Sequence, residues 1–156
     1  MQGNAWIVGN GSYGGIGDNT ANNYSSPVQT ITFGNNWKQI SHDSNWHVAG
    51  IKTDGTLWLW GYNGRGQLGD NTVVDTSSPV QTVTIGTNWT QVSQGYSFTG
   101  AIKTDGTLWL WGSNYNGELG DNSATLKSSP VQTVSRGNNW RQVSCGNGFA
   151  LAIKTD

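Results

Sequence analysis

His42, Asp43 and Ser44 have the side-chain types of a nucleophilic relay. Three contiguous residues point in different directions, whereas a relay needs nucleophile, base and orienting acid in line, so catalysis is not expected there. The glycine-rich stretch YNGRGQLGDN, from Tyr62 to Asn71, invites reading as a phosphate cradle. It lacks the following helix and the lysine that would hold a phosphate. Gly64, Gly66 and Gly69 instead permit a tight inter-strand loop, and Asp70, like Asp18 and Asp121, reads as an acceptor of turn amides. Oxygens of Asp70, Asn71, Thr72 and Asp75 could ligate calcium, but the two parallel loops carry no acid matching Asp75, so no metal is expected. The single cysteine, Cys145, permits no internal disulfide and reads as a small buried hydrophobe. None of these residues calls for a cofactor, and the chain reads as a non-enzyme.

The scaffold that positions them is repetitive. IKTDGTLWLWG runs from Ile51 to Gly61, recurs from Ile102 to Gly112, and begins again as IKTD at Ile153. SSPVQT starts at Ser25, Ser77 and Ser128, and Trp37, Trp89 and Trp140 each follow an asparagine, giving spacings of 52 and 51. One extra residue between His42 and Gly50 accounts for the difference. Three units result, at about 3–54, 55–105 and 106–156.

Within a unit the pattern is that of strands. Trp109 and Trp111 alternate with Leu108 and Leu110, a segment apolar on both faces, as in a strand between two other layers. Asp105-Gly106 before it predicts a two-residue hairpin turn with both residues at positive φ, pairing AIKTD with GTLWLWG. Further strands are read at Pro79 to Ile85 and Trp89 to Ser93. Four short strands per unit, with no segment of helical periodicity, predict an all-β fold: a β-propeller of four-stranded antiparallel blades, three per chain. Trp58, Trp60, Trp109 and Trp111, with Trp37, Trp89 and Trp140, are expected in the inter-blade core. Trp46 occurs only in the unit with the insertion and is expected on a loop.

These strings also carry a family resemblance. W-G-x-N-x-x-G-x-L-G-D, then SSPVQTV, NWTQVSQG and AIKTDG, in that order over essentially the whole chain, resemble the regulator of chromosome condensation repeat, particularly its bacterial versions. The first unit departs most, with WIVGNGSYGGIGDN. The resemblance implies a ring closed by a split blade, usually of seven blades, and protein partners. It also implies that His47, matched by Phe98 and Phe149 in the other units, is structural and bonded to backbone. Guanine-nucleotide exchange and β-lactamase inhibition, known in the family, do not transfer: no insertion is long enough for a protruding hairpin. The compartment stays open, with an extracellular or cell-surface one favoured by the resemblance; MQGNAWIVGNG has neither the basic leader nor the apolar core of a signal peptide. Asn10, Asn23 and Asn88 lie in sequons.

Three blades are too few to close alone. An open arc leaves blade faces of roughly 400 Å² each, worth at most about 10 kcal/mol. The expectation is therefore self-association: Gly3, Ala5, Trp6, Ile7 and Val8 of one chain complete the blade containing Ala152, Ile153 and Lys154 of another. The products would be a six-bladed dimer, then an open helical filament, then, last in preference, a fragment of a longer propeller.

A formal net charge of -1, with 11% charged residues, gives no footprint for nucleic acid or anionic lipid, and no apolar run could span a bilayer. Positions that vary between units are the candidates for contact with another protein: Tyr13, Trp46, Tyr62, Arg65, Tyr96, Tyr115 and Glu118. The alternative reading is a carbohydrate-binding, lectin-like propeller in which repeated Trp, Asn and Asp meet a sugar.

Overall fold

The computed structural model describes residues 3–31, 36–42, 45–84, 86–135 and 137–155. Asp43, Ser44 and Ile85, invoked above, lie outside them.

Among the described residues twelve strands alternate with turns: β1 (Trp6–Gly9), β2 (Tyr24–Gln29), β3 (Trp37–His42), β4 (His47–Lys52), β5 (Leu57–Gly61), β6 (Thr76–Gln81), β7 (Trp89–Gly95), β8 (Phe98–Lys103), β9 (Leu108–Gly112), β10 (Lys127–Gln132), β11 (Trp140–Cys145) and β12 (Ala150–Lys154). They form two complete antiparallel sheets, β3-β4-β5-β6 and β7-β8-β9-β10, flanked by two-stranded halves, β1-β2 and β11-β12. Each sequence unit thus gives two strands to one sheet and two to the next. The fold is all-β, a partial propeller of four-stranded blades.

The Asp-Gly hairpins pair as the sequence predicts, with His47 opposite Gly61 and Phe98 opposite Gly112. The turn differs from expectation. Only Gly55 and Gly106 take positive φ, at 80° and 76°. The Gly55 N–H donates to the Lys52 carbonyl at 2.9 Å and the Lys52 N–H to the Thr56 carbonyl at 3.0 Å. This is a three-residue loop, a type I turn closed by a left-handed glycine. The acid stays in ordinary backbone and instead accepts from residue i+2: Thr56 donates its N–H to Asp54 Oδ1 at 3.0 Å and its hydroxyl at 2.7 Å. Those donors hold the Asp54 carboxyl below its ordinary value; Asp105, bonded likewise by Thr107, is shifted the same way.

The long loop between the third and fourth strands of a sheet is organised by a buried asparagine. Asn63 Nδ2 reaches Asp70, the Thr72 hydroxyl and the carbonyls of Thr72 and Val74 at 3.1–3.3 Å, while its Oδ1 accepts from Leu68 N. Asn114 repeats the pattern with Asp121, Ser123, Thr125 and Leu119. Asp18, Asp70 and Asp121 each accept the N–H of the residue two ahead at 3.0 Å, the expected turn role. For Asp121, burial pushes the carboxyl upward, but Ser123, the Asn114 amide and Lys127 outweigh it and hold the group below its usual value.

The core lies in layers between sheets. Ala5, Trp37, Val48 and Trp60 form one; Ile51, Leu57, Leu59, Trp89, Val92 and Trp111 dominate the central one; Phe98, Ile102, Leu108, Leu110 and Val143 form the third. The recurrent tryptophans divide into two groups. Trp60 and Trp111 are fully buried, Trp37 and Trp89 nearly so. Trp58, Trp109 and Trp140 are only half-buried. A lysine covers them: Lys52 Nζ lies 5.2 Å from the Trp37 ring and 4.7 Å from Trp58, and Lys103 Nζ lies 4.8 Å from Trp89 and 4.6 Å from Trp109.

Candidate functional site

The loops joining first to second and third to fourth strands share one end of the blades, and they carry the variable residues. Tyr13 and Trp46, both non-glycine residues at φ 58°, expose about half of their side chains. Their rings lie 5.3 Å apart, and Tyr62 meets Tyr13 edge-on at 5.1 Å. Bulky residues in left-handed backbone are uncommon and mark places where surrounding structure holds a strained turn. A second group forms alongside. Arg65 donates to the Tyr115 hydroxyl at 2.7 Å, and with Tyr96 and Glu118 these residues line a cavity of about 190 Å³. Glu118 is buried, its Oε2 accepting from Asn116 N at 2.9 Å. The seven variable positions therefore gather into two adjoining clusters.

Burial pushes the Cys145 thiol up to about 12, so it stays protonated and poorly nucleophilic. His47 is fully buried, with Nε2 at 3.2 Å from Thr99 Oγ1 of the next sheet. Asp70 and Asp75 are engaged in the loop, the latter by the Asn63 N–H at 2.7 Å. Of the repeated tryptophans, Trp37, Trp60, Trp89 and Trp111 present no open face to a sugar, while Trp58, Trp109 and Trp140 are half-buried.

The other distinctive feature is the pair of open sheet halves. β11-β12 holds the first two strands of a blade and β1-β2 the last two. Trp6, Val8 and Ile153 are exposed at 59%, 53% and 56%, while Lys154 is exposed and Ile7 and Ala152 are half-buried. Gly3 and Ala5 are engaged inside the chain. The Gly3 carbonyl accepts Trp37 N at 3.1 Å, as Gly55 and Gly106 accept Trp89 and Trp140 at 3.0 Å, and Ala5 is buried.

Adjacent blades are joined by a device the sequence reading missed. Gln39 Nε2 donates to the Val92 carbonyl at 2.8 Å, and Gln91 Oε1 accepts from Val143 N at 3.0 Å. The third member, Gln142, is exposed, with no side-chain hydrogen bond among the described residues. Its signal was present: Gln39, Gln91 and Gln142 recur at the same spacings as the tryptophans. The lysines are similar. Lys154 Nζ lies 4.6 Å from the Trp140 ring, but where Lys52 and Lys103 each meet a second indole, Lys154 meets one among the described residues.

Known proteins share this arrangement. Human WBSCR16 superimposes with a TM-score of 0.82 at 21% identity, over all of this chain and 41% of that one. Prp20p of Saccharomyces cerevisiae gives 0.81 at 16%, over 97% and 39%. Among sequence relatives, the mitochondrial RCC1 domain-containing protein RUG3 of Arabidopsis thaliana is 31% identical over 97% of this chain and 36% of its own length. The Protein RCC2 homolog of Xenopus laevis is 30% identical over 69% of this chain and 21% of its own. The chain thus spans about a third or less of these two relatives. The regulator of chromosome condensation (RCC1) repeat profile matches residues 54–102 and 105–153, and a second profile of the same description matches 89–118, so the chain belongs to the RCC1 repeat family.

Proposed function

We propose that this chain is a non-catalytic protein-interaction module whose first partner is a second copy of itself, joined through the split blade. The observation that carries the reading is the complementarity of the two open halves. Transferring the register of β4-β5 and β8-β9 to β12 and an incoming β1 sets Phe149 opposite Gly9, Ala150 opposite Val8, Leu151 opposite Ile7, Ala152 opposite Trp6 and Ile153 opposite Ala5. In that register the exposed Trp6 supplies the second ring over Lys154, as Trp58 does for Lys52. Because β1 arrives paired with β2, one contact completes four strands. Gln142 then meets the backbone of the copy's Ile40, which holds in β3 the place of Val92 and Val143 and is 38% exposed. Unpaired strand edges with apolar side chains are templates for association.

Protein binding by relatives supports the interaction reading in general terms: Prp20p has binding properties to Gsp1p and histones, and yeast RCC1 has been solved bound to Kap60. The two loop clusters, around Tyr13-Trp46-Tyr62 and around Arg65-Tyr115, are the surface proposed for such a partner. Sedimentation equilibrium over a range of concentrations tests the self-association. A species heavier than 16.7 kDa, shifted back toward that mass by Trp6→Ala and by Ile153→Lys, is expected. A folded protein of 16.7 kDa at every concentration overturns it.

A further inference from the structure

An asparagine followed by a glycine carries a reaction of its own. The glycine nitrogen, unhindered by a side chain, attacks the asparagine side-chain carbonyl, expels ammonia and closes a succinimide ring that water opens to an acid. The step needs an asparagine side chain able to swing onto its own backbone and a glycine N–H not already donating, because any hydrogen bond there must first be broken. Four such pairs occur in the chain, beginning at Asn10, Asn63, Asn116 and Asn147.

Three of them are held. The Gly11 N–H donates to Asn23 Oδ1 at 2.9 Å, and Asn10 Oδ1 accepts Ser12 N at 2.7 Å. Asn63 is fully buried, with its amide nitrogen in the loop contacts described above and its Oδ1 accepting Leu68 N at 3.0 Å. The Gly117 N–H donates to the Asn114 carbonyl at 3.1 Å, and Asn116 Nδ2 reaches Glu118 Oε1 at 3.3 Å. Asn147, in the turn between β11 and β12, differs from all three. It is exposed, and among the described residues neither its side chain nor the Gly148 N–H makes a hydrogen bond.

The equivalent turns explain the difference. The residue before His47, Phe98 and Phe149 is left-handed in each sheet: Trp46 at φ 58°, Ser97 at φ 65° and Gly148 at φ 81°. The main-chain N–H groups of Trp46 and Ser97 also make no hydrogen bond among the described residues, so an unengaged N–H belongs to this turn wherever it recurs. Asn45 precedes Trp46 and Tyr96 precedes Ser97, whereas the third turn sets an asparagine before a glycine.

We infer that Asn147 is a self-modifying site. Gly148 N bonds to Asn147 Cγ as the Cγ–Nδ2 bond breaks, and the glycine proton leaves with Nδ2 as ammonia; one water then opens the ring. Opening at Cγ leaves aspartate. Opening at the main-chain carbonyl leaves isoaspartate, which threads the backbone through the side chain and lengthens the β11-β12 turn by a methylene. Either product adds a negative charge to a chain whose formal net charge is -1. Asn147 lines the cavity that holds Arg65, Tyr96, Tyr115 and Glu118, so the charge appears on the surface proposed for a partner. The reaction itself needs only the turn and water.

Peptide mapping of the folded chain by mass spectrometry, during prolonged incubation in mildly alkaline buffer, tests the site. Amide-to-acid exchange is expected at Asn147 about tenfold or more faster than at Asn10, Asn63 or Asn116, the factor that one retained hydrogen bond of about 1.4 kcal/mol imposes. In denaturant the four pairs should react at similar rates, which separates the fold from the dipeptide. Gly148→Ser, which copies the residue at left-handed Ser97, should slow Asn147 to the level of the others, and its melting curve checks that it is folded. Exchange at Asn147 no faster than at Asn10 or Asn116, the same preference in denaturant, or unchanged exchange in folded Gly148→Ser overturns the inference. The readout requires neither a partner nor an oligomer, so its failure is distinct from failure of the proposed function.

Discussion

Trp111→Val places inside the molecule the residue that Val8 puts at its open end, so it measures what an indole contributes to an inter-blade layer. Trp111 is fully buried, packs on Trp89 at 6.1 Å, and donates to the Gln67 carbonyl at 2.8 Å. That carbonyl retains the Thr99 hydroxyl at 2.9 Å, so the variant leaves a cavity without orphaning the acceptor. The lost burial and hydrogen bond come to about 3 kcal/mol, slightly under a tryptophan-to-alanine truncation because valine fills part of the space. For a chain of this length that lowers the melting temperature by roughly 6–12 °C. Trp109→Val is the control: its indole is half-buried, bonded to Thr107 at 2.8 Å and capped by Lys103, and its loss should cost about 1 kcal/mol. Thermal melts of both variants at one protein concentration decide the matter. Equal losses, or a smaller loss at Trp111, would refute the division of the tryptophans into layer-filling and lysine-capped groups.

The glycines facing the indoles give a paired comparison. Gly69→Ala should cost about 2–3 kcal/mol because a methyl collides with Trp111, whereas Gly120→Ala should cost about 1 kcal/mol, from backbone conformation alone; urea unfolding reads the difference. Asn114→Ala removes a fully buried amide that holds its loop at five points, and a loss of about 2–4 kcal/mol with new proteolytic cleavage between 114 and 126 is expected. Asp105 is held below its ordinary value, first by the Thr107 hydroxyl. A depressed carboxylate stabilises the fold above the unfolded-chain value and loses that contribution as pH falls through the folded one. Stability should therefore decline with acid below about pH 4, and Asp105→Asn should flatten part of that decline in pH-dependent melts.

The fold was legible because the same side chain recurs wherever the same contact recurs. Trp60 and Trp111 each fill a slot above Gly17 or Gly69, and a spacing of 52 or 51 exposes the requirement. Spacing alone did not separate Trp58 from Trp60, since the lysine that covers one group comes from the neighbouring strand and its distance is a property of the folded sheet. Gln39 and Gln91 recur as regularly but are polar, and periodic polar residues look like solvent-facing positions until a backbone is seen beside them. The clustering of Tyr13, Trp46 and Tyr62 was legible only as three variable positions. Their contact depends on two turns at φ 58°, which the residue types themselves disfavour.

The open ends are where the repeat stops being self-consistent, and their mismatches are uneven. In the proposed self-association, a copy of this chain would restore the second ring on Lys154 through Trp6 and give Gln142 a backbone to meet at Ile40. It fails at Val8, where Trp60 and Trp111 stand in the other sheets. Leu151 departs in the opposite sense. It occupies the position of Ala49 and Gly100, and a Cβ at Gly100 would already stand 2.8 Å from Cys145 Sγ. A closure lacking one indole and carrying one oversized side chain must be weaker than the layer between β3–β6 and β7–β10. Self-association should thus be reversible and concentration-dependent, and Val8→Trp should strengthen it by filling the cavity over Gly120. If sedimentation finds Val8→Trp no tighter than the unaltered chain, copies do not meet in the register of the interior sheets.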